Sequence, residues 1–372
     1  MGDDPLRKAT GFMNRRLFGV LYWGLAIAAL TGCQHIGPRT IVDDRIPYND
    51  AIATSWKQQT LLNIVRVRYG DIPEFVDVPS IVNGYELGRS GSAGFGTQLQ
   101  PQNTLMNWVG LDFQGTHTLV DRPTISYAPQ TGSEFIRNLT NPIPPVSIFN
   151  LIESGTPADL VMELAVESIN GLRNRSYVGN MQASDPEFLR VIQIMKKAQA
   201  SGHVSLRVSP IGDRKDAAVL LGIRDDGIDP GLAAELDQLR AMLRLDPQVK
   251  EFKVVFGMLP NAKDEIAIRT RSILRIMTFL ALDVQVPECH LADGTAPDLG
   301  NLGSNGQSHL MVHSGSEPPC NAYASVCYQG YWFWIDRRDF PSKRTMLYLK
   351  ILLALADTQQ KEAAPALTIQ AN

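Results

Sequence analysis

The spacing of apolar residues changes period several times along the chain, and each change marks an element. From Asp44 the stretch DRIPYNDAIATSWKQQTLLNIVRVRYGDIP reads as one long helix, with Pro47 suited to its first turn, Gly70 to its C-cap and Pro73 beyond its end. Leu61, Leu62, Ile64, Val65 and Val67 spread around the circumference, which predicts burial of the second half on more than one side. Between residues 74 and 130 the pattern shortens. FVDVPSIVNGYEL, TLMNWVGLDFQG and RPTISYAP are rich in β-branched and aromatic residues and predict three or four strands. The Gly- and Ser-rich GRSGSAGFGTQLQPQN between the first two reads as a loop.

Short helices follow around SEFIRNL and PPVSIFNLIE, and a longer one is predicted from Pro157 to Asn174. From Asp185 the order is helix, two strands (HVSLRVSP, AAVLLGIR), a helix over Pro230–Leu245, two strands (EFKVVFGM, DEIAIRT) and the helix RSILRIMTFLAL. A Gly-rich loop, the strands HLMVHS and YASVCYQGYWFWID, and the helix SKRTMLYLKILLALAD complete the body. Strands and helices mix without strict alternation, so the expected class is α+β, with mixed or antiparallel strands and packed helices. Two subdomains are expected, residues 45–180 and 181–358, with a frayed tail over 359–372.

The N-terminal region has a different character. An uninterrupted apolar run from Leu17 to Leu30 covers 14 residues, short of the roughly 20 that a membrane-spanning helix requires. Arg15 and Arg16 precede it and small residues end it, which is the layout of a secretory signal. Asp3 and Asp4 do not belong in such a signal, so translation is expected to begin at Met13. Leu30-Thr31-Gly32-Cys33 resembles the lipobox of bacterial lipoproteins. The resemblance implies removal of residues 1–32, a diacylglycerol thioether on Cys33 and acylation of the new amino terminus. Residues 33–44 would then be a lipidated tether holding the chain to a membrane. Gln34, where an Asp would favour the inner membrane, implies the periplasmic face of the outer membrane.

Loss of residues 1–32 would leave 31 basic against 36 acidic side chains, a net charge of −5. That balance argues against nucleic-acid binding, which calls for a basic patch or stripe. With Cys33 lipidated, Cys289, Cys320 and Cys327 remain; an oxidising compartment permits one disulfide, and Cys320–Cys327 is the expected pair, with the two pairings to Cys289 left open.

Candidate chemistry is sparse. On a helix through ADLVMELAVESINGLRN, Glu163, Glu167, Asn170 and Asn174 form one narrow polar stripe. Glu163 and Glu167 are therefore the candidate acid and base, set against a plain solvent-facing edge. In GIRDDGIDPG the spacing of Asp225, Asp226 and Asp229 misses the calcium-loop pattern, and Asp229-Pro230 suits a helix cap. His309 and His313, with Cys289, His290 and Cys320 nearby in sequence, contain zinc-type donors, but on a strand the two histidines stand about 13 Å apart. GRSGSAGFG lacks the Lys-Ser/Thr ending of a phosphate loop. No metal or cofactor is expected. Trp332 and Trp334 alternate onto one face of GYWFWID and are the candidate glycan platform, against core packing. The closing helix is expected to be buried, with docking of a partner as its alternative. These features favour a membrane-anchored scaffold or assembly component of a bacterial envelope complex, with a peptidoglycan-binding module or cell-wall hydrolase as alternatives.

Overall fold

The computed structural model describes residues 37–97, 109–178, 180–210, 217–223, 227–299 and 308–357. The signal peptide, Met13, Cys33, Asp225, Asp226 and the 359–372 tail lie outside the described residues. Among the described residues the chain forms nine helices and fifteen strands in mixed and antiparallel sheets, an α+β fold. No described helix is long and apolar enough to cross a membrane.

The chain divides into two compact units at Trp56/Lys57, and helix α1 (Gly37–Arg68) runs through that division. It begins at Gly37, so much of the expected tether is helical and Pro47 lies inside the helix. Gly70, at φ +84°, terminates it in the left-handed conformation. From Lys57 onward, Leu61, Ile64 and Val65 are fully buried.

Four strands follow, in two separate antiparallel ribbons: β1 (Val76–Val82) with β4 (Thr124–Pro129), and β2 (Tyr85–Thr97) with β3 (Val109–Asp121). The segment expected to be a loop is strand as far as Thr97, because β3 matches it residue for residue from Tyr85↔Asp121 to Thr97↔Val109. Pairing partners distant in sequence override the low strand propensity of Gly and Ser.

Helices α2 (Gly132–Thr140), α3 (Pro145–Glu153) and α4 (Ala158–Ala165) come next. The helix expected to run to Asn174 stops at Ala165. Val166–Ile169 is strand β5 and Leu172–Arg173 is β6, joined through Asn170 (φ 47°) and Gly171 (φ 86°). Asn-Gly between apolar residues is a strong signal for a tight hairpin, and it outweighs the helical spacing around it.

After the short β7 (Ser176–Val178) and β8 (Asn180–Gln182), helix α5 (Pro186–Ser201) leads to β9 (Val204–Pro210) and β10 (Ala217–Ile223). Helix α6 (Pro230–Met242) then precedes β11 (Glu251–Phe256), β12 (Glu265–Thr270) and α7 (Ile273–Ala281). These strands build a six-stranded sheet in the order β6-β5-β12-β11-β10-β9, in which only β11–β12 is parallel. One sheet therefore crosses the boundary expected near residue 180: β5 and β6 from before it pair with the four strands after it.

Helix α3 lies across β9 to β12, with α4 packed on it, α5 on α4 and α6 on α5. Phe149, Met162, Ile169, Leu221, Leu236 and Ile268 enclose an apolar cavity of about 20 Å³ in this core. With no polar lining, a space of that size stays dry. A second sheet, β13-β15-β14, combines β13 (His313–Gly315), β14 (Ala322–Tyr328) and β15 (Tyr331–Asp336), and follows α8 (Glu288–Ala292). Closing helix α9 (Phe340–Asp357) buries one face through Met346, Leu349 and Leu352, whereas Leu347 is exposed, so it is not enclosed on all sides as expected.

Candidate functional site

The two candidate carboxylates do not share a helical stripe. Glu163 is on α4 and Glu167 on β5, and each meets its own cation or imidazole. Glu167 is held by Arg275 at 2.6 Å and Arg269 at 3.6 Å. Glu163 Oε2 lies 3.1 Å from His309 Nε2, a residue 146 positions further along the chain.

Burial displaces both partners of the Glu163–His309 contact. The Glu163 carboxyl is pushed up to about 7 by burial first and the nearby Asp159 second, while His309 is pushed down to about 4 by burial, Arg175 and Arg271. At neutral pH His309 is therefore uncharged, so the contact is not a full ion pair.

Beneath this contact lies a polar cluster that holds the two halves of the chain together. Arg175 Nη2 donates to Asp283 Oδ1 at 2.9 Å, and both side chains are more than nine-tenths buried. Asp283 Oδ2 accepts from the backbone of His309 at 2.9 Å and Leu310 at 3.4 Å. Burial raises the Asp283 carboxyl, and the Arg175 guanidinium opposes that rise.

Arg271 donates through Nη1 to the carbonyls of Glu163 (2.8 Å) and Leu164 (3.0 Å), and through Nη2 to that of Arg175. The carbonyls that the α4 C-terminus leaves without helical partners thus find a buried cation, which satisfies both the helix end and its dipole. Arg271 and Arg175 both lie over the Phe279 ring, at 4.2 and 4.7 Å from its centroid. Burial lowers Arg271 to about 9, so it stays charged at neutral pH.

The two amides of the expected stripe are structural. Asn174 Nδ2 donates to Glu163 O and Val166 O, and its Oδ1 accepts from Arg175 N at 2.7 Å. Asn170 donates to Leu243 O and accepts from Ala267 N, fixing the hairpin turn against α6 and β12. A carboxyl near 7 has the value a general acid requires. Here it faces a histidine beside the buried Arg175–Asp283 pair and the backbone-bound Arg271 and Asn174, and together these contacts join α4, β5, α7 and the 308–310 segment.

The Trp334 ring comes close to Gly315, where an added Cβ would meet its edge at 3.2 Å, and the His313 ring lies 5.7 Å from its centroid. Trp332 is half-buried on the same face, opposite Cys327 and Gly315. Cys289, Cys320 and Cys327 are exposed free thiols. The expected Cys320–Cys327 bridge is absent, because β14 runs extended for about 17 Å from Ala322 to Cys327, and the two residues before it can return no more than about 7 Å of that, which leaves the pair beyond disulfide reach. Asp229 does cap α6, its Oδ2 accepting from Gly231 and Leu232. His313 meets Gln285 at 3.3 Å.

Sequence reasoning missed a second cluster. Tyr69 Oη is 2.7 Å from His290 Nδ1, Cys289 Sγ donates to Tyr331 Oη at 3.1 Å, and the His290 and Tyr331 rings meet edge to face at 4.9 Å. Burial pushes the Tyr69 hydroxyl up to about 12, keeping it protonated. Tyr328 hydrogen-bonds Asp71 beside it. Together they fasten the end of α1 to α8 and the second sheet. The one usable signal was the Cys289-His290 pair; its partners come from distant segments. A groove of about 360 Å³ between α3 and α5 has an apolar floor of Phe149, Ile152, Met195 and Leu221. Its Gln199 amide is already engaged by Ile152, Thr156 and Ala158, and Glu153 and Ser205 are its other polar side chains. No protein-family model, curated protein or solved structure matches this chain.

Proposed function

We propose that the chain is an exported lipoprotein, acylated on Cys33 and held at the periplasmic face of the outer membrane, whose body serves as an assembly component of an envelope complex. The observation that carries the reading is Leu30-Thr31-Gly32-Cys33, directly after an arginine-led apolar run too short to span and followed by Gln34. Several acyl chains, each contributing about 0.8 kcal/mol per buried CH₂, hold a protein stably on a membrane.

The assembly role is supported by what the body leaves uncovered. The β1–β4 ribbon has only two strands, all six residues of β4 are exposed, and Val76, Val82, Ile125 and Tyr127 are exposed across the pair. A two-stranded ribbon is marginal in water by itself, and its open edges are templates for pairing with another chain. In-cell crosslinking of the full-length protein beside Cys33→Ala and Ile125→Arg tests this. The reading expects one near-stoichiometric envelope partner, lost in Ile125→Arg while acylation persists, and lost in Cys33→Ala through release from the membrane. An acylated protein that comes down alone contradicts the assembly role.

A further inference from the structure

The β2–β3 hairpin separates its residues into two chemically distinct faces. Strand residues alternate sides, so the ladder puts Leu87, Ala93, Phe95, Leu111, Phe113 and Leu119 at positions of one face. The other face takes Ser90, Ser92, Asp112, Gln114, Thr116 and Thr118, with glycines between them. Thr116 and Thr118 are solvent-exposed.

An antiparallel ribbon with this alternation ordinarily lays its apolar face on the protein's own core. This one does not: β2 and β3 pair only with each other, and neither packs extensively against another described element. Among the described residues, then, no other strand or helix lies across the apolar face.

Its dimensions fit a lipid bilayer. Thirteen paired residues extend about 43 Å, or roughly 30 Å of depth at a 45° tilt, enough to cross the ~25 Å apolar band of an outer-membrane barrel and enter one headgroup layer. From the Thr97–Val109 row, the apolar face carries no ionisable residue until Arg89 and His117. That row lies about 19 Å deep at the same tilt, close to the far edge of the ~25 Å apolar band of outer-membrane barrels, where basic residues extend toward the headgroups.

We infer that the β2–β3 hairpin inserts into the bilayer, with its apolar face against lipid and its Ser/Thr/Gly face toward a water-filled lumen. Hydrocarbon offers no hydrogen bonds to the outer edges of a two-stranded ribbon, so hairpins from several copies of this chain close into one barrel. The smallest such barrels have about eight strands, which requires four copies or more. The inference rests on the outer-membrane reading above for its compartment.

The test uses the full chain with Cys289, Cys320 and Cys327 changed to Ser and one cysteine returned. Ala93→Cys, Phe95→Cys and Phe113→Cys are compared with Ser92→Cys, Gly94→Cys and Asp112→Cys. Each is labelled with an environment-sensitive fluorophore and reconstituted into vesicles of phosphatidylethanolamine and phosphatidylglycerol, and circular dichroism checks that the six variants fold alike. The expected result is a blue shift and quenching by acyl-chain quenchers at 93, 95 and 113 only, together with release of a trapped dye. Uniformly aqueous emission at all six positions overturns the inference. So does a blue shift at 93, 95 and 113 that appears without vesicles and resists lipid quenchers, since it means copies pack on each other in water. The protein with no returned cysteine separates the two proposals: label uptake there means that Cys33 is unacylated and sinks the lipoprotein reading, whatever the hairpin positions report.

Discussion

Folding moves a proton from His309 to Glu163. In the unfolded chain at pH 5.5 the histidine is protonated and the glutamate ionised; in the folded protein, with Glu163 near 7 and His309 near 4, the reverse holds. The pair binds one proton in both states between about 4.5 and 6.5, so its contribution to stability is flat there. Single substitutions unmask the two opposing slopes. The His309 value is depressed, so its contribution is present above the unfolded value of 6.5 and is lost as pH falls toward 4. The Glu163 value is raised, so its contribution is present below 4.5 and is lost as pH rises toward 7. Displacements of this size correspond to about 3 kcal/mol each. The neighbours that act on each group are chiefly burial and third residues, so each slope survives loss of the other partner. Urea unfolding from pH 4 to 8 at constant ionic strength reads this directly. Wild type minus His309→Gln is expected to rise by about 3 kcal/mol between pH 4 and 6.5, and wild type minus Glu163→Gln to fall by about 3 kcal/mol between 4.5 and 7. Difference curves that stay level refute the proton transfer.

Three further outcomes follow from the packing. Asp283→Ala strands a buried guanidinium and two backbone donors, and is expected to cost about 3–5 kcal/mol in the same unfolding assay; Arg175→Met with Asp283→Leu recovers only the share due to the guanidinium, because the two backbone donors stay unpaired. Gly171→Ala forces a methyl into a left-handed residue with its Cβ 3.0 Å from Leu259, and a loss of about 1–2 kcal/mol is expected by thermal denaturation. Asp229→Ala removes two capping bonds from α6 and should cost about 1 kcal/mol, whereas Asp229→Asn should cost far less.

Local signals decide local structure where they are unopposed: Asp229-Pro230 starts a helix as expected. The apolar alternation from Tyr323 to Ile335, expected as one strand, is two, folded back through Gln329 and Gly330. The errors came from competition between signals. Helical spacing through Glu163, Glu167 and Asn170 masked the Asn170-Gly171 turn, and glycine content masked β2, whose strand character exists only through its pairing with β3. The Glu163 cluster was illegible for another reason. Glu163 with His309 and Arg175 with Asp283 are each more than 100 positions apart, and nothing local marks which charged residues the fold will bury together. The isolated Asp283 within LALDVQV was the available hint, because a carboxylate set in an apolar run must find a partner.

The mass of the mature N-terminal peptide, isolated from the membrane fraction of cells producing the full-length chain, bears most directly on the central claim. The account predicts a peptide that begins at Cys33 and carries a diacylglycerol thioether and an amide-linked acyl chain. A mature chain that begins anywhere else, or one with an unmodified Cys33 thiol, contradicts it.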